Sequence, residues 1–134
     1  MECDEVMLTV RITATERTLL RALAQGHRSD VSEVVADGLL DVLPSLHCTA
    51  DAYRLLAALT TPAPCALTVW LPAELADLLA LASARVAQST GVRLGSSCAM
   101  LGAAVRLWLA QDPQRLAANL STMHAGRRSA LAAA

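Results

Sequence analysis

One short alternating segment occurs twice in this chain, and that repeat limits the possible folds more than any other feature. Leu8-Thr9-Val10-Arg11-Ile12-Thr13 is matched 59 residues later by Leu67-Thr68-Val69-Trp70-Leu71-Pro72. Apolar residues at every second position have the period of a strand with one buried face. Leu8, Val10 and Ile12 are expected to face inward, as are Leu67, Val69 and Leu71. Thr9, Arg11, Thr13, Thr68 and Trp70 are expected to face outward.

Each strand runs into a helix signal. Thr13 with Glu16 forms a capping box, while Pro72 suits a first helical position and Glu74 complements the helix dipole. The helices are expected to run to about Gln25 and about Thr90, with apolar stripes of Leu19, Leu20 and Leu23, and of Leu75, Leu78, Leu79, Ala82 and Val86. Gly26 and Gly91 are expected to end them in the left-handed conformation that glycine adopts without strain. A second helix follows in each half, from Ser29 or Asp30 and from Ser96 or Ser97. Its apolar positions repeat at an offset of 66, which pairs Val34-Val35, Gly38-Leu39 and Val42-Leu43 with Met100-Leu101, Ala104-Val105 and Trp108-Leu109. The change of offset places seven extra residues in the second half, in a longer first helix and loop.

The chain has 134 residues, which suits one compact domain or two small units sharing a core, because a unit below about 60 residues is hard to stabilise alone. The halves must therefore bury surface on each other. The reading divides the chain into a first strand-helix-helix unit at 1–43, a linker at 44–66, a second unit at 67–111 and a C-terminal helix and tail at 112–134. In the linker, Pro44 ends the first unit and a short helix is expected from about Ala50 to Leu59. Thr49 is its N-cap, and Tyr53, Leu56 and Leu59 lie on one side. Thr60 to Pro64 reads as a Pro-stiffened connector. Asp112-Pro113 opens a last helix with a thin apolar face of Leu116, Leu120 and Met123, and Gly126 to Ala134 is expected to fray.

Alternating strands before paired helices, with the pieces LTVWLPAELADLL at 67–79 and DVSEVVADGLLDVL at 30–43, resemble the Arc/MetJ/CopG ribbon-helix-helix family. The resemblance covers about 85 residues and leaves out the linker and the C-terminal helix. It implies a mainly α fold with a two-stranded antiparallel β-ribbon, built from two βαα units in tandem. Family members usually dimerise, because a lone strand exposes unpaired backbone groups and half a core. A tandem copy supplies the partner strand from the same chain, giving a pseudo-dimer. The expected register sets Val10 opposite Val69, with Arg11 beside Thr68 and Thr9 beside Trp70.

The resemblance further implies sequence-specific binding of double-stranded DNA, as in a transcriptional repressor or a plasmid or mobile-element accessory factor. Its ribbon enters the major groove, so the base readers would be Thr9, Arg11, Thr68 and Trp70. Phosphates would be held at the N-termini of the second helices, by Arg28, Ser29 and Ser32 and by Arg93, Ser96 and Ser97, with Gly95 between them. Further tandem units along the DNA, forming a homo-oligomer, fit the same family. The alternative is a protein-interaction module on this scaffold that has lost DNA readout, with Trp70 or the C-terminal helix as the contact, since exposed Trp marks interfaces.

Charge is uneven: residues 1–59 carry five Arg against nine acids, or −4, and residues 60–134 carry six Arg against three acids, or +3. Cys3, Cys48, Cys65 and Cys98 form no CxxC pair and are expected to be thiols; no zinc site is expected from His47-Cys48. His27, His47 and His124 read as surface or loop residues. No nucleophile, paired-carboxylate or phosphate-loop motif is present, so neither enzymatic activity nor a cofactor is expected. No apolar run reaches the roughly 18 residues of a membrane span, and the acidic start at Glu2, Asp4 and Glu5 is unlike a signal peptide. A cytoplasmic protein is expected.

Overall fold

The computed structural model describes residues 5–26, 28–47, 49–58, 63–94, 96–111, 114–116 and 118. In order they form β1 (Glu5–Ile12), α1 (Ala14–Gly26), α2 (Val31–Val42), a 3-10 turn (Leu43–His47), α3 (Thr49–Ala58), β2 (Cys65–Pro72), α4 (Ala73–Thr90) and α5 (Ser97–Leu109). The described chain is mainly helical, with a two-stranded antiparallel sheet, and the order strand, helix, helix occurs twice. The expectations placed on Glu2, Cys3, Asp4, His27, Cys48, Leu59, residues 60–62, Gly95, Asp112-Pro113, Leu120, Met123, His124 and residues 126–134 fall outside the described residues.

The ribbon register corrects the expected one. Thr9 lies opposite Thr68, Leu8 opposite Val69, Met7 opposite Trp70 and Arg11 opposite Ala66. A slip of two residues leaves every side chain on its own face, so hydrophobic alternation cannot tell the two registers apart. The strand ends are set by local contacts. Thr13 N–H donates to Glu16 Oε1 at 2.7 Å and Glu16 N–H donates to Thr13 Oγ1 at 3.1 Å. That box takes Thr13 out of the strand and ends β1 at Ile12, and the ribbon extends instead back to Glu5 and Cys65. Because Thr9 and Thr68 are equivalent positions of the repeat, the ribbon has a local two-fold relation through this pair.

On the inward face Val10, Ile12, Val69 and Leu71 are wholly buried, and Leu8 and Leu67 are partly buried against the same core. α5 packs on β1, α2 on β2, and α2 and α5 on each other. At that crossing the Trp108 indole lies on Gly38, and its Nε1–H donates to Asp41 Oδ2 at 3.0 Å. Arg106, buried on α5, donates from Nε to both Glu16 carboxylate oxygens at 3.1 and 3.2 Å and from Nη1 to the Ala58 carbonyl. One guanidinium therefore ties the start of α1 and the end of α3 to α5.

The seven extra residues are placed as expected: α4 has 18 residues against 13 in α1, and six residues rather than four precede the next helix. Gly91 closes α4 with φ 76° and donates to the Ala87 carbonyl at 2.8 Å. The first half departs from this, because Gly26 lies within α1 and the positive φ falls on Arg28 at 52°. Two apolar faces also differ from expectation. Leu78 is 45% exposed, because α4 turns Leu75, Leu79, Ala82 and Val86 inward. α3 begins at Thr49 and buries Ala52 and Leu55 while Tyr53 stays exposed.

Two glycines give opposite predictions. A Cβ at Gly38 would lie 2.6 Å from the buried Trp108 ring, whereas one at Gly102 would meet only the Arg11 carbonyl oxygen at 3.6 Å and its nitrogen at 3.9 Å. Overpacking costs roughly 1–3 kcal/mol and the added helix propensity returns about 1 kcal/mol. Gly38→Ala is thus expected to destabilise and Gly102→Ala to stabilise by up to about 1 kcal/mol. Urea unfolding checks both, and stabilisation by Gly38→Ala would contradict this packing.

Candidate functional site

A two-stranded ribbon covered by helices on one side leaves the alternate side chains of its other side in solvent. Thr9, Arg11, Thr68 and Trp70 all lie on that outward face, joined by Glu5, Met7 and Ala66. The cross-strand rows are Glu5 with Pro72, Met7 with Trp70, Thr9 with Thr68, and Arg11 with Ala66. At about 3.3 Å per residue, the Met7 and Arg11 rows stand roughly 13 Å apart. Two threonines occupy the centre, an apolar pair one side and a cation the other. Met7 and Trp70 are 56% and 51% exposed.

The two ends of the ribbon differ in charge. By the offsets of 59 and 66, Glu5, Asp30, Glu33 and Trp70 are equivalent to Pro64, Ser96, Ala99 and Arg11. Across these four pairs one end carries three carboxylates and an indole, −3, and the other a single guanidinium, +1. At the acidic end an open groove of about 480 Å³ is lined by Glu5, Asp30, Ser32, Glu33, Trp70 and Pro72 among others. Its walls come from the start of β1, the end of β2 and the first turn of α2. At the other end Arg11 Nη1 donates to the Pro64 carbonyl at 3.4 Å.

The serines and arginines assigned to phosphate occupy unlike positions. Asp30, not Ser29, is the N-cap of α2, and its Oδ1 accepts from Glu33 N–H at 2.8 Å. Ser29 Oγ is buried and has no hydrogen-bond partner among the described residues. The Ser32 hydroxyl accepts from the Trp70 backbone N–H at 3.0 Å, which occupies it with an open strand edge. Arg28 is exposed on the turn before α2. In the second half Ser96 is the N-cap, with Oγ accepting from Ala99 N–H at 3.1 Å; no acid lies in the first turn of α5, and Arg93 and Ser97 are exposed. A helix N-terminus attracts anions through its free N–H groups and dipole. Carboxylates weaken that attraction at α2, and α5 has none.

Sequence reasoning singled out Trp70 but missed the acids around it, Asp30, Glu33 and Glu5. The signal was available in the repeat, since each is an acid in one half whose equivalent in the other is neutral. Among the described residues no group of His, Cys, Asp and Glu is placed to hold a metal ion, and no helix is long and apolar enough to cross a membrane. Cys65 and Cys98 are half-buried free thiols.

Ser32→Ala tests the edge contact. Loss of this hydroxyl acceptor is expected to lower stability by roughly 0.5–1.5 kcal/mol and to speed hydrogen exchange at the Trp70 amide. An unchanged exchange rate would show that the hydroxyl does not hold that N–H.

No family model, curated protein or solved structure matches the chain.

Proposed function

We propose that this chain is a cytoplasmic, sequence-specific double-stranded DNA-binding protein, acting as a transcriptional repressor or a plasmid or mobile-element accessory factor. On this reading it is a tandem pair of ribbon-helix-helix units that lays its ribbon in the major groove. One observation carries the proposal: the ribbon presents a polar row, Thr9 beside Thr68, with Arg11 next to it, on a face that no described helix covers. An antiparallel ribbon fits the major groove, where an arginine fork pairs with guanine O6 and N7 and a threonine contacts a base edge or a thymine methyl.

The charge difference between the ends makes the proposed contact one-sided. Phosphates are drawn to the α5 end, with Arg93, Ser96 and Ser97, more than to the α2 end, where Asp30 and Glu33 sit in the first turn. The operator is accordingly asymmetric rather than a strict palindrome. A second reading, a protein-interaction module on the same scaffold, is favoured at the Trp70 end by the carboxylates around an exposed indole.

Selection of duplexes from a random pool, followed by anisotropy titration at two salt concentrations, tests the DNA reading. Arg11→Ala is expected to cost about 1–3 kcal/mol on the selected duplex and to relax preference at one guanine, while Arg93→Ala weakens all duplexes alike. Equal, weak binding of every duplex by wild type and Arg11→Ala would remove base reading by the ribbon. For the second reading, Trp70→Ala is expected to lose the partners that wild type captures, and an unchanged partner set would remove Trp70 from that role.

A further inference from the structure

We infer that the groove at the Trp70 end of the ribbon docks an arginine side chain of a protein partner. The inference deepens the interaction reading of that end and is independent of DNA contact at Arg11.

The groove brings together two kinds of recognition surface. Trp70 and its cross-strand neighbour Met7 form an apolar patch that folding leaves half uncovered. Glu5, Asp30 and Glu33 line the groove together with Trp70, and among the described residues no cationic one lines it. An indole face attracts a cation, and a carboxylate accepts the paired N–H groups of a guanidinium. Three carboxylates repel a phosphate backbone, so the occupant is not the DNA itself. Among the described residues these acids form no metal-binding group, and the exposed indole beside them favours an organic cation. Arginine suits the site better than lysine, because its planar group stacks on the ring while its fork meets the acids.

The other end of the same ribbon supplies an internal comparison. There the position equivalent to Trp70 is Arg11, and its guanidinium donates to the carbonyl of Pro64, the position equivalent to Glu5. That end carries its own cation against that acceptor. At the Trp70 end the acceptor is a full carboxylate, two more stand on α2, and the cation is left for a partner to bring.

Nitrogen-labelled protein titrated with a short oligo-arginine peptide, and with its oligo-citrulline counterpart, tests this by NMR. The Trp70 indole N–H signal is expected to move with the arginine peptide and to stay put with citrulline, which keeps the shape and loses the charge. Trp108, 1% exposed and bonded to Asp41, is the control that reports an intact fold. Trp70→Ala and Glu33→Gln are each expected to weaken peptide binding by about two- to five-fold. Equal responses to the two peptides, a motionless Trp70 signal, or unchanged affinity in Trp70→Ala would each overturn the inference. Trp70-dependent association of the chain with itself, in place of peptide binding, would also overturn it. A partner captured through Trp70 without needing an arginine would overturn it as well, while leaving the interaction reading in place.

Discussion

A two-stranded ribbon has no interior strand, so each strand depends on the other for its backbone partners and on a helical layer for its single apolar face. In this chain β1 finds β2 across a separation of more than fifty residues, and everything between them serves that closure. α1 and α2 form part of the covering layer, and α3 carries the chain back toward the start of β2. The buried Arg106 fixes α1 and α3 to α5, and the Trp108 ring on Gly38 sets how closely α2 and α5 approach.

Much of this could be read from the residues. The strands, the four principal helices and the caps at Thr13, Asp30, Ser96 and Gly91 follow from alternation, 3.6-residue periodicity and local hydrogen-bond chemistry, which act within a few residues. The register could not be read the same way, because two registers differing by two residues satisfy the same alternation and both pair equivalent positions of the repeat. Leu78 and Tyr53 escaped for a related reason. A broad apolar stripe does not say which of its edges turns toward a neighbour, and that depends on contacts with distant elements. The acidic groove is assembled from β1, β2 and α2, and becomes visible only once Glu5 is known to stand opposite Pro72.

On the proposed tandem reading, duplication followed by divergence accounts for the asymmetry. The inward positions of both halves stay apolar because they share one core, while the outward and cap positions are free to separate in charge. They have done so in a coordinated way: Glu5, Asp30 and Glu33 line the groove beside Trp70, and their equivalents at the Arg11 end are the neutral Pro64, Ser96 and Ala99. A homodimer built on a two-fold axis must present the same surface at both ends of its ribbon. A single chain containing both copies is released from that requirement and can meet two different partners, which on the proposed reading are DNA at one end and a cationic protein at the other.

The central claim is that one chain closes its own ribbon through the Thr9–Thr68 pair. Sedimentation equilibrium combined with urea unfolding over a wide range of protein concentration tests it most directly. The account predicts a folded species at the single-chain mass of 14.1 kDa on dilution, with an unfolding midpoint that does not depend on concentration. A two-chain species whose dissociation and unfolding coincide, with a midpoint that rises with concentration, would contradict it.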